Sequence, residues 1–166
     1  MYRVRQAREA DLPRILEIYE YARSFMANTG NPNQWGKTHP PREILEADIP
    51  AGNLYVVEDG MIHGVFALFL EPDPTYGYIE DGAWVTDSPY ATIHRVAADG
   101  SGGVFPAVLG FVEQRNSHVR IDTHQDNRVM QHILAKYGFS RRGIIYLQNG
   151  EPRIAYEKVS ESMTID

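Results

Sequence analysis

Cysteine is absent from all 166 residues, which removes disulfides, thiolate nucleophiles and thiolate metal sites at once. Runs of lysine or arginine are absent too. With a net charge of −6 the chain has no electrostatic footprint for a phosphate backbone, so no nucleic-acid partner is expected. A cationic small substrate would suit that charge better. No window approaches the roughly 20 apolar residues of a membrane span, and "MYRVRQAREADL" lacks the apolar core of a secretory signal. The expectation is a cytoplasmic protein with no membrane partner. No stretch repeats and none is of low complexity. What is present, 43% hydrophobic and 23% charged residues, is the composition of one globular domain with a real core. That domain is expected over residues 1–160, with 161–166 as a flexible C-terminal tail.

Periodicity orders the elements. "YRVRQA" alternates as a short strand, and "EADLPRILEIYEYARSFMANTG" sets Leu12, Ile15, Leu16, Tyr19, Ala22 and Met26 on one helical stripe. After the loop "NPNQWGKTHPP", "REILEADI" reads as a second, short helix. "NLYVVED" and "MIHGVFALFL" are extended runs split by Asp59 and Gly60, a strong hairpin signal. "YGYIEDGAWV" and "YATIHRVAA" read as further strands. The spacing of Val104, Val108, Phe111 and Val112 then turns helical, with Pro106 tolerated in the first turn. A strand "HVRID", a helix "NRVMQHILAKY" stopped by Gly138, and a hairpin turning at Asn149 and Gly150 close the chain. The class is α+β: a mixed, mostly antiparallel sheet of six to seven strands flanked by about four helices.

Within "HRVAADGSGGVF", residues 94 to 105, an extended run collapses into glycines just before a helix. Such a loop presents bare backbone N–H groups at the positive end of the helix, which suits a phosphate or diphosphate. It reads equally as a plain turn. It is not a P-loop, because no Lys-Ser or Lys-Thr follows, and it is not the dinucleotide-binding G-x-G-x-x-G of a βαβ unit.

With this loop and the element order in place, "RIDTHQDNRVMQHILAKYGF" at residues 120 to 139 resembles the GNAT family of N-acetyltransferases, which move an acetyl group from acetyl-CoA to an amine. The resemblance covers nearly the whole chain. It implies that the fourth strand and the glycine loop hold the co-substrate acetyl-CoA. Val96 and Ala97 would pair through main chain with the pantetheine arm, in a splayed gap beside the fifth strand. Backbone donors of Ser101, Gly102, Gly103 and Val104 would grip the diphosphate. Asn127 would touch the pantetheine or the CoA. The chain departs from the family where Gly100 stands in place of a Gln or Arg, where Phe105 replaces a second small residue, and where Leu134 occupies the site of a frequent acidic tyrosine. Tyr137, three positions on, is the candidate substitute for that general acid, or else simply closes the helix over the core.

The chemistry requires a base to strip the ammonium, a donor for the oxyanion and a proton for the departing thiolate. His94 shares a strand side with Val96 and is the candidate base; a buried histidine bonded to backbone gives the same signature. Glu80 is the second candidate base, or else a solvated carboxylate. Gln34 and Trp35 are assigned to the acceptor wall, together with Trp84 and His124. Asp122 and His124 share one strand face, but two ligands make a weak metal site and none is assigned. The reading is direct transfer to the primary amine of a small molecule or peptide. A catalytically degenerate CoA-binding regulatory module and a metal-dependent hydrolase are the alternatives. The closing hairpin, as in the family, would serve a homodimer.

Overall fold

The computed structural model describes residues 1–160; the tail expected at 161–166 lies outside them. Seven strands, β1 (Arg3–Gln6), β2 (Leu54–Glu58), β3 (Ile62–Phe69), β4 (Ala91–Ala98), β5 (Val119–Thr123), β6 (Ser140–Tyr146) and β7 (Pro152–Lys158), form one sheet in the order β1-β2-β3-β4-β5-β7-β6. Every neighbouring pair is antiparallel except β4 with β5. Four α-helices flank it: α1 (Leu12–Asn28), α2 (Arg42–Ala51), α3 (Val104–Glu113) and α4 (Arg128–Lys136). This is the expected α+β architecture. Among the described residues no helix is long and apolar enough to cross a membrane.

Helices cover both faces because strand alternation makes both apolar. Val57, Phe66, Ile93, Ile121 and Ile154 pack on one face with Val108 of α3 and Leu134 of α4. Val56, Val65 and Ala67 pack on the other with Ile15, Ile18 and Tyr19 of α1 and Leu45 of α2. The buried stripe of α1 is thus centred on Ile18 rather than Leu16, which is only half-buried. Each fully buried Ile, Leu or Phe contributes about 1.5–3 kcal/mol relative to exposure.

One expected strand is not there. Within "YGYIEDGAWV" a single bridge joins Glu80 to Ile144, while Pro74–Tyr76 form a short 3-10 turn. Asp81 turns the chain at φ 59°, and Gly82 sits so close to the Arg142 carbonyl that a Cβ would lie 1.8 Å from its oxygen. Tyr76 and Trp84 fold back onto the β5–β7–β6 end of the sheet around Tyr90, Ile145 and Ala155. Ring packing, with a few backbone bonds from Glu80 and Ala83 to β6 in place of a full ladder, holds this segment.

Glycine at position 64 has a definite task. A Cβ there would meet Val104 Cγ1 at 2.4 Å, so the start of α3 can rest on β3 only because that Cβ is missing. Gly110, within α3, has nothing within 4 Å of a built Cβ. Gly64→Ala is therefore expected to cost about 1–3 kcal/mol. Gly110→Ala should gain about 0.5–1 kcal/mol, and urea unfolding of the two variants checks the opposite signs.

Candidate active site

The site begins at a defect in β4. Val65 faces Ala97 and Ala67 faces His94, so Arg95 and Val96 together oppose Phe66. This bulge puts Arg95 at φ 52°, a left-handed conformation unusual for a side-chain-bearing residue and typical of constrained functional backbone. Tyr19 Oη donates to the Arg95 carbonyl at 2.7 Å, and Asp48 Oδ2 accepts from Arg95 Nη2 at 2.5 Å. Before the bulge is reached β4 has already left β5: the two pair only at Ala91↔Val119 and Thr92↔Arg120. The splayed gap opens into two adjoining cavities.

The larger, about 770 Å³, lies between Gln34, Trp35 and His39 of the α1–α2 loop, the 73–75 turn, β4, β5 and the β6–β7 turn. His94 Nε2 stands 2.6 Å from Asp73 Oδ2. Thr75 donates to Asp73 Oδ1 from its N–H at 2.8 Å and its hydroxyl at 2.7 Å. Burial pushes this carboxyl up, but the bonds from His94 and Thr75 prevail and hold it down to about 2. Asp73 is therefore an anion at neutral pH and accepts. Nε2 of His94 therefore carries a proton toward Asp73, and in the neutral ring the lone pair is the one on Nδ1. Asp122 also lines this cleft, where burial raises its pKa despite a 2.7 Å bond from Tyr76 Oη.

The smaller cavity, about 230 Å³, runs from Val96 to Gly100 between Tyr21, Phe25 and Met26 of α1 and Val129, Met130 and Ile133 of α4. Val96, Met26, Asn127 and Met130 line both spaces, so the two adjoin. At its far end α3 starts after Gly103, at φ 80°, with no side chain capping it. Ala107 N–H already bonds Gly103 O at 3.4 Å and Pro106 has no N–H, which leaves Val104 and Phe105 as uncapped first-turn donors. Phe105 does not plug the channel. Its ring turns inward, 5.9 Å from Tyr137 and 6.5 Å from Phe139.

Among solved structures, an acetyltransferase of the GNAT family from Streptococcus agalactiae 2603 superposes with a TM-score of 0.86 at 32% identity, over 96% of this chain and 96% of that one. The chain belongs to the GNAT acetyltransferase family. A putative acetyltransferase from Staphylococcus aureus MU50 is similar at 25% identity and a TM-score of 0.66, over 94% of this chain and 97% of that one. Salmonella typhimurium yncA, a putative acetyltransferase solved with its cofactor acetyl-CoA, shares the fold at 14% identity and a TM-score of 0.61, over 96% and 95% of the two chains. No family model and no curated protein matches the sequence.

The departures from the GNAT loop pattern have structural causes. A Cβ at Gly100 would lie 2.6 Å from Tyr21 Oη, so that hydroxyl fills the space a Gln or Arg side chain would need. Ser101 differs from its expected part. Its N–H is spent on Asp99 Oδ1 at 3.0 Å, inside the loop. Gly102 gives its carbonyl to Tyr2 Oη at 2.8 Å. Asp99 N–H bonds the His63 carbonyl at 3.0 Å, so by ladder alternation the main chain of Ala97 also faces β3. Ala98 instead turns its main chain to the gap.

The remaining candidates divide. Gln34 and Trp35 do wall the cleft, Trp35 edge-on to Tyr19 at 5.7 Å. Asn127 lines both cavities with its carboxamide committed: Oδ1 caps α4 through Met130 N–H and Nδ2 donates to Gln34 Oε1, both at 2.9 Å. Glu80 lies away from the cleft, accepting from Tyr78 and Tyr146 hydroxyls, because the chain turns at Asp81 instead of running on as a strand beside β4. Tyr137 ends α4 against Phe105 and lines neither cavity. Trp84 belongs to the Tyr76 cluster, its Nε1 donating to Tyr76 O at 2.9 Å. His124 Nδ1 accepts from Asp126 N–H at 3.0 Å and shapes the β5–α4 loop. Sequence reasoning missed Asp73, Arg95 and Arg153; the available signals were the arginines beside apolar strand residues, Arg95 in "ATIHRVAA" and Arg153 in "PRIAY".

The glycine loop carries its own titratable lock. His63 Nδ1 lies 2.8 Å from Asp99 Oδ2, Nε2 lies 2.9 Å from Asp59 Oδ1, and Arg14 Nη2 also reaches Asp99 Oδ2 at 2.7 Å. The bond to Asp99 is the main reason the His63 pKa is raised, against burial and with help from Asp59. A raised folded pKa stabilises fully below the ordinary histidine value of about 6.5 and loses that contribution as pH climbs through the folded value. The melting-temperature difference between the unaltered protein and His63→Gln should therefore shrink from about pH 6 to about pH 9.

Proposed function

We propose that the chain transfers an acetyl group from acetyl-CoA directly to the primary amine of an acceptor bound in the 770 Å³ cleft. The observation that carries this reading is the Asp73-oriented imidazole of His94, beside the bulge, where β4 has already parted from β5. Acetyl-CoA would supply the activated thioester. The chain fits it: the narrow cavity between α1 and α4 suits the pantetheine arm, and the uncapped N–H groups of Val104 and Phe105 suit the diphosphate. Nδ1 of His94 would take the ammonium proton, directly or through one water, while Asp73 supports the imidazolium that results. With no cysteine in the chain, a thiol-borne acyl intermediate has no carrier.

Acetyl-CoA titration by calorimetry, followed by thiol release over a panel of amines, tests the proposal. Binding with amine-dependent release supports it. Binding without release would move the reading to a CoA-binding regulatory module. The hydrolase reading has little footing, because among the described residues no group of three or more His, Asp or Glu side chains is gathered to hold a metal.

A further inference from the structure

Acetyl transfer by itself gives no task to the arginine in the acceptor cleft. Arg153 of β7 lines the cleft with its side chain only 6% exposed. The β5–β7 register sets Asp122 opposite Ala155, two residues from Arg153, so their side chains share a sheet face. His94 extends that face onto β4, with the sheet order running β4-β5-β7.

Its partners are thin for a guanidinium out of water. Nη1 donates to Pro152 O at 2.9 Å, while Nη2 reaches Gln34 O only at 3.4 Å and Glu151 Oε1 at 3.3 Å. The Glu151 side chain is 52% exposed, free to leave for solvent. A buried cation calls for a close anion, and the planar fork is built for a two-oxygen one. One further observation marks this part of the cleft. Across from Arg153, His39 is disfavoured as a cation, first by burial and then by Arg95, Arg153 and Arg23, so the local field is positive. Of the acidic groups in the cleft, Asp73 is bonded to His94, while the Asp122 carboxyl accepts from Tyr76 Oη and feels both His94 and, more weakly, Arg153.

We infer that Arg153 receives an acidic group of the acceptor, so that the amine acetylated is one that also bears a carboxylate or a comparable oxyanion. The inference rests on the transfer reading above. The ammonium faces the Asp73–His94 pair, the oxyanion faces the guanidinium, and an acceptor carrying both charges is oriented by the two together.

Paired acceptors test it: L-phenylalanine against phenethylamine and against its methyl ester, L-lysine against cadaverine, and glycine against methylamine, with aminomethylphosphonate as the phosphonate arm. The acid-bearing member should win in kcat/KM by about tenfold to a hundredfold. Arg153→Gln should erase that ratio, chiefly through KM, and Arg153→Lys should restore part of it as a point charge. Equal or better use of the uncharged partners by the unaltered protein would overturn the inference, and that arm needs no variant to fold. So would an equal loss for both members of a pair in Arg153→Gln. Failure of the transfer reading looks different: acetyl-CoA bound with no thiol release from any amine, which would overturn both.

Discussion

Replacing His94 with alanine is expected to lower kcat by about 10²–10⁴-fold while acetyl-CoA still binds. The expectation follows from three facts in sequence. Asp73 keeps its charge, because His94 and Thr75 stabilise the carboxylate more than burial destabilises it. A charged acceptor 2.6 Å from Nε2 fixes that nitrogen as the donor. Nδ1 is then left as the lone-pair site, and the ring lines the cleft where β4 has separated from β5. Asp73→Asn tests the orientation separately: it keeps the shape, removes the anion, and should cost kcat without costing acetyl-CoA affinity. Glu80→Gln and Tyr137→Phe are the contrasting variants. Both residues resemble acid or base candidates in sequence, yet one is tied to Tyr78 and Tyr146 and the other packs on Phe105, so neither change should lower kcat by as much as about tenfold. A loss for Tyr137→Phe equal to that for His94→Ala would overturn this assignment.

The fold was legible because its signals are local. Asp59–Gly60 and Asn149–Gly150 sit in tight turns, with Gly60 at φ 101° and Gly150 at φ 87°, and the helical spacings bury most of the residues they nominate, Leu12, Ile15, Tyr19 and Ala22 in α1 and Val104, Val108 and Val112 in α3. His94 was legible only in part: its nomination rests on sharing a strand side with Val96, yet the bulge at Arg95 and Val96 breaks the alternation, so His94 opposes Ala67 on one face while Val96 packs with Ile93 on the other. The partner of His94 was not legible. Asp73 comes from a proline-rich turn that reads only as a loop, and what places it against His94 is the distant Tyr90 hydroxyl, which accepts from its N–H at 2.8 Å. Trp84 failed the other way, because an exposed pocket wall and a ring folded onto Tyr76 give one and the same residue in sequence. Gly100 looked like an erosion of the loop pattern; Tyr21, on α1, explains it only once α1 and the loop are in contact.

Glu157→Ala is expected to remove about 3–5 kcal/mol of stability, the usual cost of leaving buried charges without their counterion. Glu157 is 3% exposed on β7. Its Oε2 takes His118 Nε2 at 2.5 Å and Arg120 Nε at 3.1 Å, and its Oε1 takes the Val85 N–H at 2.8 Å. Burial pushes this carboxyl up, yet the bonds from His118, Val85 and Arg120 bring it below the usual range. Arg120 lies between the rings of Trp84 at 4.0 Å and Tyr90 at 4.1 Å, and donates to Thr86 O at 2.7 Å. One carboxylate therefore pins the 84–90 segment to β5 and β7. A depressed folded pKa contributes stability above the ordinary carboxylate value of about 4.3 and loses it as pH falls through the folded value, so the gap between the unaltered protein and Glu157→Ala should close in acid. Tyr90, gripped by Arg120, is also the residue that holds the Asp73 N–H. Loosening it should cost turnover as well as stability, even at temperatures where Glu157→Ala is fully folded. Urea unfolding paired with kcat at low temperature reads both, and a stability loss under about 1 kcal/mol would mean that Arg120 and His118 find other partners.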